Sequence, residues 1–354
     1  MEEVTFSQEE QSYSLEKRTV LILAKGSAIG LLGRLLGRFL MLVYQALLAR
    51  SLGRDQYGLF ALGWSVLQIS LYMGPVGLGQ AVLRFASPLW KKDGIALRRI
   101  LQQSLAVATL TGFLLGGVLF FSSPVLAAFF QKPGLLMVWR ATALALFLST
   151  ILRTLSAMTR ISQRVQFSLL VEDILLPLSM ALTALFLTMI WHWGIQGALF
   201  SVVLGYALMT WLAMIFVRIL FPSAFVPVPW EREVFRSLST FSLSVSLGTL
   251  ANLLTQWMPR LILGYFRPEA EVGLYQAAFQ VASLPALILA STGPIFAPVI
   301  ARLSGERKFQ QVKEVYTVVT KWTVYLSAPL VVTLFFFPRP LLYLFFGSEY
   351  EGAT

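Results

Sequence analysis

Residues 194–217, GIQGALFSVVLGYALMTWLAMIFV, run for twenty-four positions without a charged side chain. A helix rising 1.5 Å per residue needs about twenty residues to cross a hydrocarbon layer of ~30 Å, so this stretch is long enough and apolar enough to span a membrane. Similar runs recur on both sides of it, from Val20 to Pro338. Of 354 residues, 57% are hydrophobic and 13% charged, with a mean hydropathy of +0.73. Soluble domains carry roughly 25% charged residues. The chain therefore reads as an all-α polytopic membrane protein, and soluble enzyme classes are excluded.

Nine spans are predicted, near 20–49, 58–82, 100–123, 139–158, 168–190, 194–217, 237–263, 272–299 and 317–337. With the N-terminus inside, the inner segments hold 17 basic residues and the outer ones 7, among the latter Arg50, Arg54, Lys132, Arg140 and Arg260. Basic loops are retained in the cytoplasm, so the expected location is the cell membrane with a cytoplasmic N-terminus. Residues 1–18 carry five glutamates before Lys17 and Arg18, unlike a signal peptide, and read as a solvated cytoplasmic tail.

Composition removes other chemistries. There is no cysteine and one histidine, which argues against structural zinc, thiol catalysis and disulfides. His192 lies between Trp191 and Trp193 and reads as part of an interfacial aromatic cluster. The net charge of +11 is scattered over short loops, so nucleic acid is not an expected partner. No cofactor, metal or catalytic residue is assigned.

An internal repeat organises the chain. Gly58-Leu59-Phe60 matches Gly273-Leu274-Tyr275 at a displacement of 215, while Pro124 with Phe129-Phe130 matches Pro340 with Phe345-Phe346 at 216. Lys91-Lys92 meets Arg307-Lys308, also at 216. Six spans separate the copies, so both enter the membrane from the same side. Two parallel-repeat helical lobes around a central cavity are expected. The boundaries are 19–220 for the first lobe, 221–236 for a proline-containing cytoplasmic linker and 237–354 for a partial second lobe. The second copy stops at the equivalent of Val138, leaving 79 positions without a counterpart, so a truncated form of a longer protein is expected.

Charges within the spans point to a ligand. Lys25, Arg34 and Arg38 lie in the first span with no acidic residue among them. A guanidinium facing lipid near the bilayer centre costs at least ~2.5–3.5 kcal/mol, so these side chains should face protein or a cavity. Gly26, Gly30, Gly33 and Gly37 line one helix face beside them and should admit a close neighbour. Gln68, Asn252, Gln256 and Lys321 are candidate cavity-lining polar groups, whereas Glu172 and Asp173 are placed near a helix end. Cations without counter-charges suit an anion, and arginine's planar donors suit phosphate. Gly74-Pro75, Pro177, Pro259, Pro285, Pro294 and Pro329 mark interrupted helices.

The stretch Leu48-Ala49-Arg50-Ser51-Leu52-Gly53-Arg54-Asp55-Gln56-Tyr57-Gly58-Leu59-Phe60 resembles the A-R-x-L-G-x-x-x-Y-G-L-F signature of polysaccharide-biosynthesis flippases. These belong to the multidrug, oligosaccharidyl-lipid and polysaccharide exporter superfamily. In this motif Ala49, Arg50, Leu52, Gly53, Tyr57 and Gly58 are the matching positions; Lys25-Gly26, Gly33-Arg34 and Phe345-Phe346-Gly347-Ser348-Glu349-Tyr350 also look like the family. The resemblance implies outward translocation of a polyprenyl-phosphate- or diphosphate-linked oligosaccharide, with that lipid-linked oligosaccharide, membrane lipid and polysaccharide assembly proteins as partners. It also implies a cationic cavity for the headgroup, in agreement with Lys25, Arg34 and Arg38. A multidrug exporter and a membrane glycan polymerase or ligase are the alternatives.

Overall fold

The computed structural model describes the backbone of residues 2–73, 75–162 and 164–353. Within these, side chains are not described at 2–29, 31, 72, 73, 75, 76, 165, 250–252, 287, 289–295, 297, 298 and 353. The acidic tail, Lys25, Gly26, Asn252 and Pro294 fall in that second group, so the expectations placed on their side chains lie outside the described residues.

Among the described residues the fold is helical throughout, with no β-strand. The helical stretch Glu2–Met73 divides at Gly53, whose φ of 69° and ψ of 170° are not helical, into α1 (2–52) and α2 (54–73). Then follow α3 (Pro75–Ala86), α4 (Gly94–Phe129), α5 (Leu135–Ile161), α6 (Gln166–Ile190), α7 (Gly194–Leu220) and α8 (Arg232–Phe266). The last four are α9 (Glu269–Ala282), α10 (Leu284–Gly305), α11 (Phe309–Phe336) and α12 (Pro338–Phe346).

Among the described residues, six helical stretches are long and apolar enough to cross a membrane, or seven if α8, bent by 62° between Thr249 and Leu253, is one of them. All nine expected spans fall on helix, but the second and eighth are each divided. The second is shared by α2 and α3, and the eighth by α9 and α10. Proline stands at the start of α3 and in the first turn of α10, positions where a ring lacking an N–H fits because no intrahelical bond is required of it. Pro124, Pro259 and Pro329 sit inside helices without ending them. α8 begins at Arg232, inside the expected linker.

The chain forms two compact units. One comprises residues 1–36 with Ala282–Phe337, and the other Gly37–Val281 with Pro338–Thr354. In the first, α10 packs on α11, whose side chains include none that is buried. In the second, α5 is the central helix and packs against α3, α4 and α7. Its buried face mixes large side chains such as Trp139, Leu146 and Met158 with small ones, including Ala143, Ala145, Ser149, Thr150, Thr154 and Ala157. Most of its hydroxyls bond within the helix, as when Thr150 Oγ1 donates to Leu146 O at 2.7 Å and Thr154 Oγ1 to Thr150 O at 3.0 Å, while Ser156 Oγ is buried without a partner among the described residues. Gly112 and Gly116 of α4 let that helix approach the backbone of Phe147 and Ala143. Close backbone approach is how helices gain dispersion energy where lipid supplies no hydrophobic drive.

The repeat is visible in the backbone. Lys91 and Arg307 share a left-handed conformation (φ 64° and 56°), as do Gln131 and Gly347 (φ 54° and 96°). Both pairs are 216 residues apart, the displacement read from the sequence. Non-glycine residues enter this region rarely, so recurrence at one spacing marks equivalent turns.

Candidate functional site

The signature residues are gathered into a clasp of helix ends, all within the second compact unit. Arg50 Nε donates to Phe345 O at 3.1 Å, and its Nη2 reaches Leu344 O. The Arg54 N–H donates to Glu349 Oε2 at 3.2 Å, beside Gly53. The Tyr350 hydroxyl donates to Ala49 O at 3.1 Å; burial pushes this phenol above its ordinary range and keeps it protonated. Tyr57 packs its ring against Tyr350 and Phe346, at centroid distances of 6.0 and 6.4 Å. Leu52 is buried beneath the turn. Two stretches quoted for the resemblance, 48–60 and 345–350, therefore bind each other.

The clasp is reciprocal between the repeats. An ideal Cβ on Gly58 would stand 1.8 Å from Glu269 O, and one on Gly273 would stand 2.2 Å from Arg54 O. Gly58 and Gly273 are repeat equivalents, and so are Arg54 and Glu269, each pair 215 apart. The loop after α4 meets the second copy in the same way. Lys132 Nζ donates to Arg267 O at 2.9 Å and lies 3.6 Å from Glu269 Oε2, while Phe129 stacks on Tyr265 at 4.8 Å. Each copy thus seats its late loop on the other's early helix junction.

Beneath the clasp lies Arg260, 1% exposed, in the second half of α8. Its Nε donates to Gln276 Oε1 and its Nη1 to Gln256 O at 3.0 Å. The guanidinium sits 4.1 Å from the ring centre of Phe279, 4.6 Å from Trp257 and 5.9 Å from Tyr275. Among the described residues no carboxylate pairs with it. Charge is tolerated here through hydrogen bonds and aromatic faces rather than through a counter-ion. The Tyr57 hydroxyl donates to Gln45 Oε1 at 2.9 Å and also meets the Gln276 side chain, which connects the signature to the buried arginine.

The sequence reading places Arg260 within the seventh expected span and counts it among the outer basic residues; it does not foresee that the side chain is buried. A usable signal was present: Leu261-Ile262-Leu263 continue the apolar run, and Tyr275 and Phe279 recur four apart with Gln276 between them.

The other candidates are placed as follows. Arg34 and Arg38 are exposed on α1, and among the described residues neither forms an ion pair. Of the glycine face, Gly37 admits a neighbour, since a Cβ there would meet Asp173 O at 2.0 Å; Gly33 has nothing within 4 Å. Gln68 is half-buried on α2. Gln256 exposes its side chain and contributes its carbonyl to Arg260. Lys321 is exposed on α11, 5.6 Å from the Tyr325 ring centre. Arg34 and Lys321 belong to the first compact unit; Arg38, Gln68 and Gln256 belong to the second. Glu172 and Asp173 lie farther into α6 than expected, on the π-helical stretch Leu169–Leu175, with Arg160 3.5 Å from Glu172.

Comparison with known proteins adds a family and a fold. A family model described as polysaccharide biosynthesis protein matches residues 47–354. A probable low-salt glycan biosynthesis flippase of Haloferax volcanii is 24% identical over 119 residues, covering 34% of this chain and 25% of the relative. The match thus spans about a quarter of that relative's length. A multidrug resistance MATE family transporter of the MOP superfamily, solved in an inward-facing conformation, superposes with a TM-score of 0.73 at 15% identity, covering 91% of this chain and 78% of its own. A MATE transporter of Vibrio cholerae superposes at 0.64 and 14% identity, covering 93% and 77%. The chain therefore belongs to the polysaccharide biosynthesis protein family, built on the fold of MOP-superfamily membrane transporters.

Proposed function

We propose that the protein is a flippase that moves a polyprenyl-phosphate- or diphosphate-linked oligosaccharide outward across the cell membrane, by alternating access of two repeat-related lobes with the N-terminus cytoplasmic. The observation that supports the reading is a set of guanidiniums on long apolar helices that lack carboxylate partners among the described residues: Arg34 and Arg38, exposed on α1, and the enclosed Arg260. Family membership and the flippase relative support it. An anionic headgroup supplies the charge the site lacks, and arginine can hold two phosphate oxygens at once. Arg34, Arg38 and Lys25 are the headgroup contacts, and Gln68, Asn252, Gln256 and Lys321 are polar groups of the pathway. The clasp is the gate that must open for release, because it joins the helix ends of both copies.

The test is polysaccharide export in a strain lacking its own flippase. Arg34→Ala with Arg38→Ala is expected to abolish export and to accumulate lipid-linked precursor, with normal amounts of protein in the membrane. Normal export by the double variant overturns the site. Intact export together with raised drug susceptibility favours a multidrug exporter instead.

A further inference from the structure

At the opposite ends of the spans from the clasp, the start of α4 and the end of α7 converge around a cavity of about 230 Å³. Its lining includes Trp90, Lys91, Leu97, Arg98, Leu101 and Phe221. Leu97, Leu101 and Phe221 are buried and make an apolar interior, and the Trp90 and Phe221 rings meet edge to face at 4.9 Å. Lys91 and Arg98 supply charge, and among the described residues neither has an acidic partner.

The surroundings hold this arrangement in place. Lys91 takes its left-handed conformation in a turn closed by Lys92 N–H to Leu89 O at 3.0 Å. The nearest carboxylate in sequence, Asp93, is committed to the first turn of α4, accepting from Ile95 N at 3.0 Å and Ala96 N at 2.9 Å. Arg98 Nε donates to Gly94 O at 3.1 Å, which fixes its stem against the helix. The far wall is tied as well: Gln102 Nε2 donates to Ala224 O at 2.9 Å, its Oε1 accepts from Val228 N at 3.3 Å, and Arg99 pairs with Glu231.

We propose that this cavity binds the phosphate headgroup of an anionic membrane phospholipid, with Lys91 and Arg98 on the phosphate and the start of an acyl chain along Leu97 and Leu101. One helix long and apolar enough to span starts at Gly94 and another ends at Leu220, so the cavity sits at the ends of two such helices, the side of a span on which lipid phosphates lie. Tryptophan favours that depth, and basic pockets between spans are suited to anionic headgroups. The apolar interior selects a lipid over free phosphate, and two cations without a carboxylate favour a net negative headgroup over a zwitterionic one. An occupied site would link the start of the third span to the segment joining the repeats.

The protein is reconstituted in phosphatidylcholine nanodiscs with increasing phosphatidylglycerol, and lipids retained on release are counted by native mass spectrometry. Wild type is expected to retain phosphatidylglycerol selectively. Lys91→Gln with Arg98→Gln should weaken that retention about 30-fold, roughly fivefold for each basic residue. Ser223 also lines the cavity, and Ser223→Trp fills it without removing charge and should abolish retention while leaving the melting temperature in phosphatidylcholine unchanged. Lys313→Gln, on an exposed position of α11, should retain lipid like wild type. Undiminished retention by the double variant or by Ser223→Trp overturns the proposal, as does an equal loss with Lys313→Gln. Displacement of phosphatidylglycerol by millimolar inorganic phosphate would show a free-phosphate site and overturn it too.

Discussion

Replacing Gly58 by alanine tests the crossing at the centre of the clasp. The new Cβ would stand 1.8 Å from Glu269 O, where heavy-atom contacts do not fall below 3.0 Å, so the helices must part by about 1.2 Å. The obstacle is a backbone carbonyl, which cannot rotate away. Overpacking of this kind costs ~1–3 kcal/mol, and alanine returns up to ~1 kcal/mol of helix propensity. A net loss of ~1–2 kcal/mol lowers the ratio of clasped to open molecules about 5- to 30-fold. Gly273→Ala faces Arg54 O at 2.2 Å and needs a smaller opening of about 0.8 Å. Because both glycines occupy one crossing, the opening forced by the first accommodates most of the second. The double variant should therefore fall short of additivity by at least ~0.5 kcal/mol. The chain has no cysteine, so Lys132→Cys with Glu269→Cys introduces the sole thiols, and their cross-linking yield reports closure directly. Thermal melting in detergent gives the stability arm. Gly117→Ala is the control, because its Cβ would meet nothing within 4 Å. Strict additivity, or unchanged yield and melting for Gly58→Ala, refutes the reasoning.

Variants at Arg260 separate stability from function, and one at Tyr350 tests the clasp. Arg260→Met leaves Gln276 Oε1 without its donor and should cost ~1–3 kcal/mol, whereas Arg260→Met with Gln276→Leu should recover wild-type melting within ~1 kcal/mol. Both should fail to export polysaccharide, and export by the stable double variant would remove Arg260 from the machinery. Tyr350→Phe deletes the hydrogen bond to Ala49 O and should reduce cross-linking through a loss of ~1 kcal/mol. The folded phenol titrates above its unfolded value, so its contribution is complete below the ordinary tyrosine pKa of about 10 and is lost as pH rises beyond it. Wild-type yield should therefore hold up to about pH 10 and fall above it, while that of Tyr350→Phe stays flat; identical pH profiles would exclude this phenol as the cause.

Sequence alone determined the features that each segment carries for itself. Crossing lipid requires about twenty apolar residues in a row, so hydropathy located helix at every expected span. The repeat was legible because equivalent turns need equivalent residues: Lys91 matches Arg307 in sequence, and the two share one backbone conformation. The signature was legible as a motif but not as a contact, since Arg50 and Phe345 are 295 positions apart. Tertiary structure decided which charges are enclosed. Arg260 became a buried cation because Tyr275, Gln276 and Phe279 arrive from α9, while Arg34 and Arg38 on α1 stayed exposed. It likewise decided that Gly58 and Gly273 face each other's helices while Gly33 faces open space. Hydropathy and spacing describe one segment at a time, whereas the energy of a charge or a missing Cβ depends on the neighbour that folding brings beside it.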